Sequence, residues 1–188
     1  MHKSFKQYLI QNLNLSGEKL DYILTHFEEK NSKKNEIIIS KNKICSHLYF
    51  IKKGGLRIYC IGSNGQEWTR YVAFENEFVT IMPSFINQEP STTYLQSIEI
   101  SELLSISFSN FYKLIDLFQE WESFYRINLE NIHINSIKRI EEFITLDAKH
   151  RYKNCLKHHP KLIQRMSNKI LASYLGMSQE TLSRQKSK

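Results

Sequence analysis

Cysteine, proline and glycine are all scarce in this chain of 188 residues, which has three Cys, three Pro and six Gly. So few Pro and Gly, together with 41% hydrophobic residues, exclude collagen-like, low-complexity and disordered chains. Cys45, Cys60 and Cys155 are odd in number and far apart, so the sequence predicts neither a disulfide framework nor a thiolate zinc site. A chain of this length can bury a core without cross-links, and a reducing cytoplasm suits its cysteines.

Long apolar runs are missing as well. The sequence has no run of about 18 apolar residues, the minimum for a membrane-spanning helix. The N-terminal residues mix polar and apolar side chains and lack the apolar core of a signal peptide. We therefore expect a cytoplasmic protein with no membrane partner.

Groups for catalysis or metal binding do not assemble into a recognisable pattern. No nucleophile, base and orienting acid can be combined from the sequence, so we predict no enzyme, no metal and no cofactor. His158 and His159 are adjacent and would point to different sides of a helix, which favours solvated side chains over a shared metal. Gly54 and Gly55 lack the strand-to-helix context of a phosphate loop, and we predict a hairpin turn there.

Positive charge is in excess and is concentrated at one end. The whole chain carries a formal net charge of +7, with a pI near 9.2. Residues 147–188 carry a net charge of +8, whereas the first 146 residues carry −1. We therefore expect an anionic partner for the last 42 residues, and nucleic acid is the leading candidate.

Hydrophobic spacing predicts helices over residues 1–35, including Glu28 and Glu29, with Ser16 as a helix N-cap. Residues 36–107 change to short β-type runs separated by turn signals, and Asn64-Gly65 is typical of a two-residue hairpin turn. Many short strands with regular turns favour an antiparallel roll or sandwich, so the predicted fold class is α+β. Strands are expected at residues 48–51, 56–59, 69–74, 92–100 and 103–107.

A helical pattern without Pro or Gly holds for almost forty residues from Phe108 onwards. Its apolar stripe predicts one long helix over about 111–146, and we favour packing of that stripe against the same helix of a second subunit. The alternative is a helix that is covered by its own β-domain. The residues assigned to the dimer seam are Leu114, Phe118, Trp121, Tyr125, Asn128 and Ile132.

The segment from Met166 to the C-terminus is the most informative part of the sequence. Ser167 can cap a helix that Gly176 ends, and Ser178 can cap the next helix. A helix, a Gly-containing turn and a second helix form the pattern of a DNA-binding helix-turn-helix, although any helical hairpin shares part of it. The local charge of +8 favours the DNA-binding interpretation.

Residues 36–188 resemble a Crp/Fnr-type transcription regulator, and the run NKILASYLGMSQETLSRQ is very similar to the helix-turn-helix of that family. The resemblance implies a cyclic-nucleotide-binding-like antiparallel β-roll as the sensor domain over residues 1–110. It also implies a dimerisation helix over 111–146 and a DNA-binding domain over 147–188. The expected partners are a palindromic operator in double-stranded DNA, a second copy of the chain and RNA polymerase.

The family's base-contacting positions fall on Gln179, Glu180 and Arg184. Their chemistry is suitable, because Arg can pair with guanine, Glu can accept from cytosine and Gln can pair with adenine. Other polar residues in the same region are expected to contact phosphates. These are Lys169, Ser178, Thr181, Ser183, Lys186 and Lys188.

The effector cassette of the family is changed in this chain. Cyclic-nucleotide binders carry a Gly-Glu pair for the ribose and an Arg followed by Ser or Thr for the phosphate, whereas this chain has Thr80-Ile81 and Ser91-Thr92 at those positions. Without the guanidinium a cyclic phosphate loses its bidentate partner, so we predict that cAMP is not the effector, whose identity stays open. Aromatic residues could line a pocket or simply fill the core. The candidate effector pocket consists of Phe78, Thr80, Ile81, Ser91, Thr92 and Tyr94.

Two functions from different classes remain. The first is a homodimeric, sequence-specific transcription regulator whose sensor domain alters the spacing of two recognition helices. The second is a ligand-binding or protein-interaction module with a vestigial helix-turn-helix. Only the first predicts DNA retention that falls steeply with salt.

Overall fold

A computed structural model describes residues 3–13, 15 and 17–187, with side chains from Phe5 onwards. The chain divides into two compact units. The roll unit contains Met1–Tyr59 and Val72–Asn128, and the C-terminal unit contains Cys60–Tyr71 and Leu129–Lys188.

Two helices open the roll unit, α1 over Lys3–Leu13 and α2 over Glu18–Leu24. Leu9 and Leu20 are buried on their apolar faces, as the spacing predicts. The predicted cap Ser16 lies outside the described residues, and the residue that precedes α2 in the structure is Gly17.

The described residues form eight strands in two four-stranded sheets, which confirms the antiparallel β-roll and the α+β class. Sheet A has the order β1-β8-β3-β6 and sheet B the order β2-β7-β4-β5. In sheet A, β8 pairs with β1 and β3, and β3 also pairs with β6. In sheet B, β7 pairs with β2 and β4. All five of these pairs are antiparallel. The strands are β1 Glu28–Ser32, β2 Ile37–Ile39, β3 His47–Lys53, β4 Leu56–Ile61, β5 Glu67–Ala73, β6 Phe78–Val79, β7 Tyr94–Ser97 and β8 Ser101–Ser107.

The helical prediction for Glu28 and Glu29 is wrong, because both residues belong to strand β1. This strand is polar, and Ser32 is its one buried residue. Its place is set by backbone pairing with β8, in which Glu28 lies opposite Ser105. A polar edge strand of this kind has no hydrophobic pattern that a sequence could show.

Gly54 and Gly55 do not form the predicted hairpin, because β3 belongs to sheet A and β4 to sheet B. The two glycines turn the chain from one sheet to the other. Gly54 has a φ of 97°, and a Cβ atom there would lie 2.7 Å from the carbonyl oxygen of Ile100. Close backbone approach at a sheet corner therefore requires glycine.

The Asn64-Gly65 turn does join two neighbouring strands, β4 and β5, but its loop is longer than two residues. Strand β4 ends at Ile61 and β5 begins at Glu67, and the backbone N–H of Gly62 donates to the carbonyl of Gln66 at 2.8 Å. Between β6 and β7 the chain forms a short helix, α3 over Met82–Asn87, which the sequence analysis did not predict.

The long helix is not continuous. Helix α4 covers Phe108–Leu117 and α5 covers Gln119–Thr145, and Phe118 between them is extended, with φ −134° and ψ 107°. Leu114 and Trp121 are fully buried in the core of the roll unit, so they cannot line a seam with a second chain. These two side chains are covered by their own domain.

Four helices complete the C-terminal unit: α6 Ala148–His158, α7 Pro160–Arg165, α8 Asn168–Leu175 and α9 Gln179–Lys186. Pro160 begins α7, where its missing N–H costs no intrahelical hydrogen bond. Asp147 caps α6 by accepting from the backbone N–H of His150 at 2.9 Å. Every helix in the described part of the chain is too short or too polar to span a bilayer.

Candidate functional site

Three residues that the sequence predicted as caps and turn lie at the ends of α8 and at the start of α9. The Ser167 hydroxyl accepts from the backbone N–H of Ile170 at 3.3 Å, and the Ser178 hydroxyl accepts from that of Thr181 at 3.1 Å. Gly176 has a φ of 64° and is the left-handed residue that ends α8. The predicted caps and turn are therefore confirmed as local structure.

Helix α9 presents a polar surface. Leu182 is its one buried residue, whereas α8 buries Ile170, Leu171, Ala172, Ser173 and Leu175. The base-contacting candidates Gln179, Glu180 and Arg184 are all exposed, as are Ser178, Ser183 and Lys186 among the phosphate-contacting candidates.

Exposed side chains of α9 are arranged by local contacts. Arg184 donates to the Thr181 hydroxyl at 3.4 Å. A hydrogen bond with Ser178, and the nearby Arg184, lower the pKa of Glu180, which keeps this carboxylate ionised as an acceptor. Lys186 donates to the side-chain oxygen of Asn168 at 2.7 Å. The last phosphate candidate, Lys188, lies outside the described residues.

Arg151 holds the turn between α8 and α9. Its guanidinium donates to the carbonyls of Leu146 at 2.6 Å, Leu175 at 2.9 Å and Gly176 at 3.1 Å. The last carbonyls of a helix have no partner within the helix, so a fixed cation with several donors satisfies them well. In the sequence Arg151 was counted only as part of the basic charge, and no local pattern distinguishes it.

Arg139 of α5 is a second internal cation of the C-terminal unit. It donates to the carbonyls of Tyr174 at 2.6 Å and Thr69 at 3.1 Å, and its guanidinium lies 3.7 Å from the centre of the Tyr174 ring. Burial lowers the pKa of Arg139, although this group keeps its proton at neutral pH. No local sequence pattern distinguishes Arg139 from the other cations of the chain.

The hairpin between β4 and β5 contacts α8. The Thr69 and Ser173 hydroxyls are 2.5 Å apart and buried, and the Lys169 ammonium lies 2.7 Å from the Glu67 carboxylate. One predicted phosphate contact, Lys169, is therefore already paired with a carboxylate. The two segments are about one hundred residues apart, so only the tertiary structure shows this contact.

Helix α5 has two apolar faces, and the predicted seam residues that lie on this helix are on the covered one. Phe118, Tyr125 and Ile132 are half-buried, and the amide of Asn128 donates to the carbonyl of Phe124 at 2.8 Å. Isoleucines at helical spacing elsewhere on α5 are exposed instead. They are Ile127, Ile134, Ile137, Ile140 and Ile144.

The positions of the altered effector cassette are satisfied within the protein. Thr80 donates to the carbonyl of His47 at 2.9 Å, and Ser91 donates to the carbonyl of Thr93 at 2.9 Å. Ile81 is buried and Thr92 is exposed. None of these four side chains carries a charge that could replace the missing ribose and phosphate ligands.

The two aromatic residues of the candidate pocket pack differently. Phe78 is half-buried in a cluster that includes Phe50, 5.1 Å away, and Trp121, 6.4 Å away, whereas Tyr94 stacks on Tyr59 at 4.9 Å. Phe78 therefore contributes to a filled core, which was the simpler of the two interpretations.

Arg57 is a buried cation of the roll unit that sequence reasoning missed. It is 4% exposed, lies 4.1 Å from the centre of the Tyr59 ring and donates to the side-chain oxygen of Gln96 at 2.8 Å. An arginine between Leu56 and Ile58 in an apolar strand is the signal that could have found it. Among the described residues, no group of three or more His, Cys, Asp or Glu could hold a metal ion.

Comparison with known proteins agrees with this architecture. Residues 29–117 match the family of cyclic nucleotide-binding domains. No curated protein matches the chain.

Solved structures share the fold at low sequence identity. A mutant of CooA from Carboxydothermus hydrogenoformans is 18% identical, with a TM-score of 0.74 over 95% of this chain and 82% of that one. The c-di-GMP responsive global regulator CLP from Xanthomonas campestris is 18% identical, with a TM-score of 0.74 over 90% of this chain and 89% of that one. A protein from Eubacterium rectale assigned to the Crp/Fnr family of transcriptional regulators is also 18% identical. Its TM-score is 0.73, over 95% of this chain and 85% of that one. These likenesses show an antiparallel β-roll of the cyclic nucleotide-binding type followed by helices.

Proposed function

We propose that this protein is a sequence-specific, DNA-binding transcription regulator that acts as a homodimer. The observation that carries the proposal is the pair α8 and α9, a capped helix, a left-handed glycine turn and a second helix whose outward side chains are polar. In this proposal the pair is a helix-turn-helix and α9 is its recognition helix, which enters the major groove.

The exposed side chains of α9 suit readout of base edges. Arg184 can donate two parallel hydrogen bonds to guanine, ionised Glu180 can accept from cytosine, and Gln179 can pair with adenine. The surrounding Ser178, Thr181, Ser183 and Lys186 suit phosphate contacts, together with Lys169 once it is released from Glu67.

Exposed isoleucines on α5 support a homodimer. Ile127 and Ile134 are seven residues apart, as are Ile137 and Ile144, and all four are more than 40% exposed. An exposed apolar stripe with this spacing is typical of a helix that packs against its counterpart in a second subunit. We therefore transfer the proposed seam from Leu114, Trp121 and their neighbours to these isoleucines.

A dimer of this kind would bind a palindromic operator whose half-sites lie about 34 Å apart. The proposed mechanism is a shift between dimer geometries, in which α5 sets the separation of the two recognition helices. The roll is the proposed sensor domain and α5 the linker, with an effector other than cAMP because Thr80-Ile81 and Ser91-Thr92 replace the usual ligands. RNA polymerase is the proposed partner at the promoter, and no catalytic step is assigned to the chain.

Selection of binding sites from a random pool of DNA duplexes tests the proposal. We expect one palindromic sequence to be enriched, and we expect binding to it to weaken steeply with salt. Arg184→Ala should weaken this binding by about 1–3 kcal/mol and relax the base preference at one position of each half-site. Lys153→Ala, which removes an exposed charge from α6, is the matched control that should keep the base preference.

One outcome of this selection would contradict the DNA-binding proposal. If no sequence is enriched and retention does not depend on salt, the DNA-binding proposal is wrong and the alternative of a protein-interaction module takes its place.

A further inference from the structure

We propose that the hairpin over residues 60–71 is an intramolecular inhibitor of DNA binding, which masks α8 through Glu67 and Thr69. This inference rests on the proposed function, because it assigns a role to contacts on the same helix-turn-helix. The hairpin and the α8–α9 pair belong to one compact unit, the C-terminal unit.

The first contact places an acid where DNA would place a phosphate. The Glu67 carboxylate lies 2.7 Å from the ammonium of Lys169, whose side chain is 62% exposed. A carboxylate and a phosphate oxygen are both anionic acceptors, so they compete for the same ammonium. While Glu67 is in place, its negative charge offsets that of Lys169 and weakens the attraction of this ammonium for a phosphate.

The second contact is buried and holds the hairpin against the helix. The Thr69 hydroxyl lies 2.5 Å from that of Ser173, and Ser173 also donates to the carbonyl of Ile170 at 3.0 Å. Ser173 is thus satisfied within α8 even when Thr69 is absent. The contact can open without leaving this hydroxyl unpaired, as a reversible switch requires.

Arg139 connects the hairpin with α5 as well as with α8. One of its terminal nitrogens, Nη2, donates to both the carbonyl of Thr69 and the carbonyl of Tyr174. Glu67 and Thr69 are residues of β5, a strand of sheet B, so the proposal assigns to a change in that sheet the release of both contacts. A signal in the roll therefore has a covalent route to the residues that mask α8.

Glu67→Gln is the simplest test and uses the full-length protein with the duplex selected above. Neutralising this acid should strengthen DNA binding by up to about fivefold, the usual range for one exposed ion pair. Glu141→Gln makes the same charge change at an exposed position of α5 in the C-terminal unit. It should leave the DNA affinity nearly unchanged. Equal affinities for Glu67→Gln and Glu141→Gln would contradict the proposal.

A reversible lock gives the sharper test. Thr69→Cys combined with Ser173→Cys, in a Cys60→Ser background, places two thiols where the hydroxyls now touch, within reach of a disulfide. Oxidation should reduce DNA affinity at least tenfold, and reduction should restore it. Mass spectrometry establishes that the bond has formed, and circular dichroism establishes that the fold is retained.

The results separate this inference from the proposed function. If the oxidised and reduced proteins bind the duplex equally while Arg184→Ala still loses base preference, the hairpin does not inhibit and the regulator proposal stands. If even the reduced protein and Glu67→Gln bind no duplex in a salt-dependent manner, the DNA-binding proposal itself is wrong.

Discussion

The Nη2 atom of Arg151 lies 3.1 Å from the carbonyl oxygen of Gly176, so a residue of α6 holds the turn that orients α9. The same guanidinium reaches Leu146 at the end of α5, and it lies 5.0 Å from the centre of the Phe143 ring. The end of α5, the end of α8 and the turn are therefore tied to one side chain.

Arg151→Ala should lower the free energy of unfolding by about 2 kcal/mol, because three helix-end carbonyls lose their charged donor at a half-buried site where water can replace part of each bond. Chemical denaturation measures the change. Arg151→Lys keeps the charge but offers no planar fork, and we expect a loss of intermediate size. Lys153→Ala on the same helix is the control and should stay within about 0.5 kcal/mol of the wild type.

Ile137→Glu should convert the dimer to a monomer, because a charge in the centre of a helical seam must be desolvated on association. Sedimentation equilibrium measures the oligomeric state. Ile100→Glu alters an isoleucine of the roll unit that is 74% exposed and should leave the dimer intact. A wild-type chain that sediments as a monomer would refute the proposed seam directly.

Titration calorimetry with cAMP should show no binding at micromolar concentrations, because Thr80-Ile81 and Ser91-Thr92 provide no charged ligand. A DNA affinity that does not change on addition of cAMP is the matching functional result. Micromolar or tighter binding would show that some other cation of the roll replaces the missing arginine, and Arg57→Gln would then be the variant to examine.

The lowered pKa of Asp147 predicts that the stability of the fold at the start of α6 decreases at acid pH. Hydrogen bonds from the backbone and side chain of His150 lower the pKa of Asp147 below its usual value of 3.8. A lowered pKa means that the ionised form stabilises the fold at neutral pH and that this contribution is lost as the pH falls through the folded value. Asp147→Asn keeps a capping oxygen but no charge, so its melting temperature should approach that of the wild type in acid.

The difference between the two melting temperatures should be largest near neutral pH and should shrink below about pH 4, the range in which a free aspartate is protonated. A difference that stays constant from pH 7 to pH 3 would mean that the Asp147 charge does not contribute.

Local features of the C-terminal unit could be predicted well. Ser167, Gly176 and Ser178 each act within one turn of backbone, so their neighbours in sequence decide what they do. Strand β1 and helix α3 were missed because their side chains carry no period that points to a buried face. The break at Phe118 was missed for a related reason, since an apolar stripe continues across it and only the dihedral angles differ.

The amino-acid sequence by itself determined the α+β class with its many short strands, the capped pair α8 and α9, and the concentration of basic residues beyond Asp147, because each depends on composition or on spacing within a few residues. Only the tertiary structure decided which sheet receives each strand and which face of α5 is covered. It also decided which cations are already engaged, Arg151 with three carbonyls and Lys169 with Glu67. The physical reason is that burial and pairing join residues far apart in the chain, whereas caps and turns join neighbours.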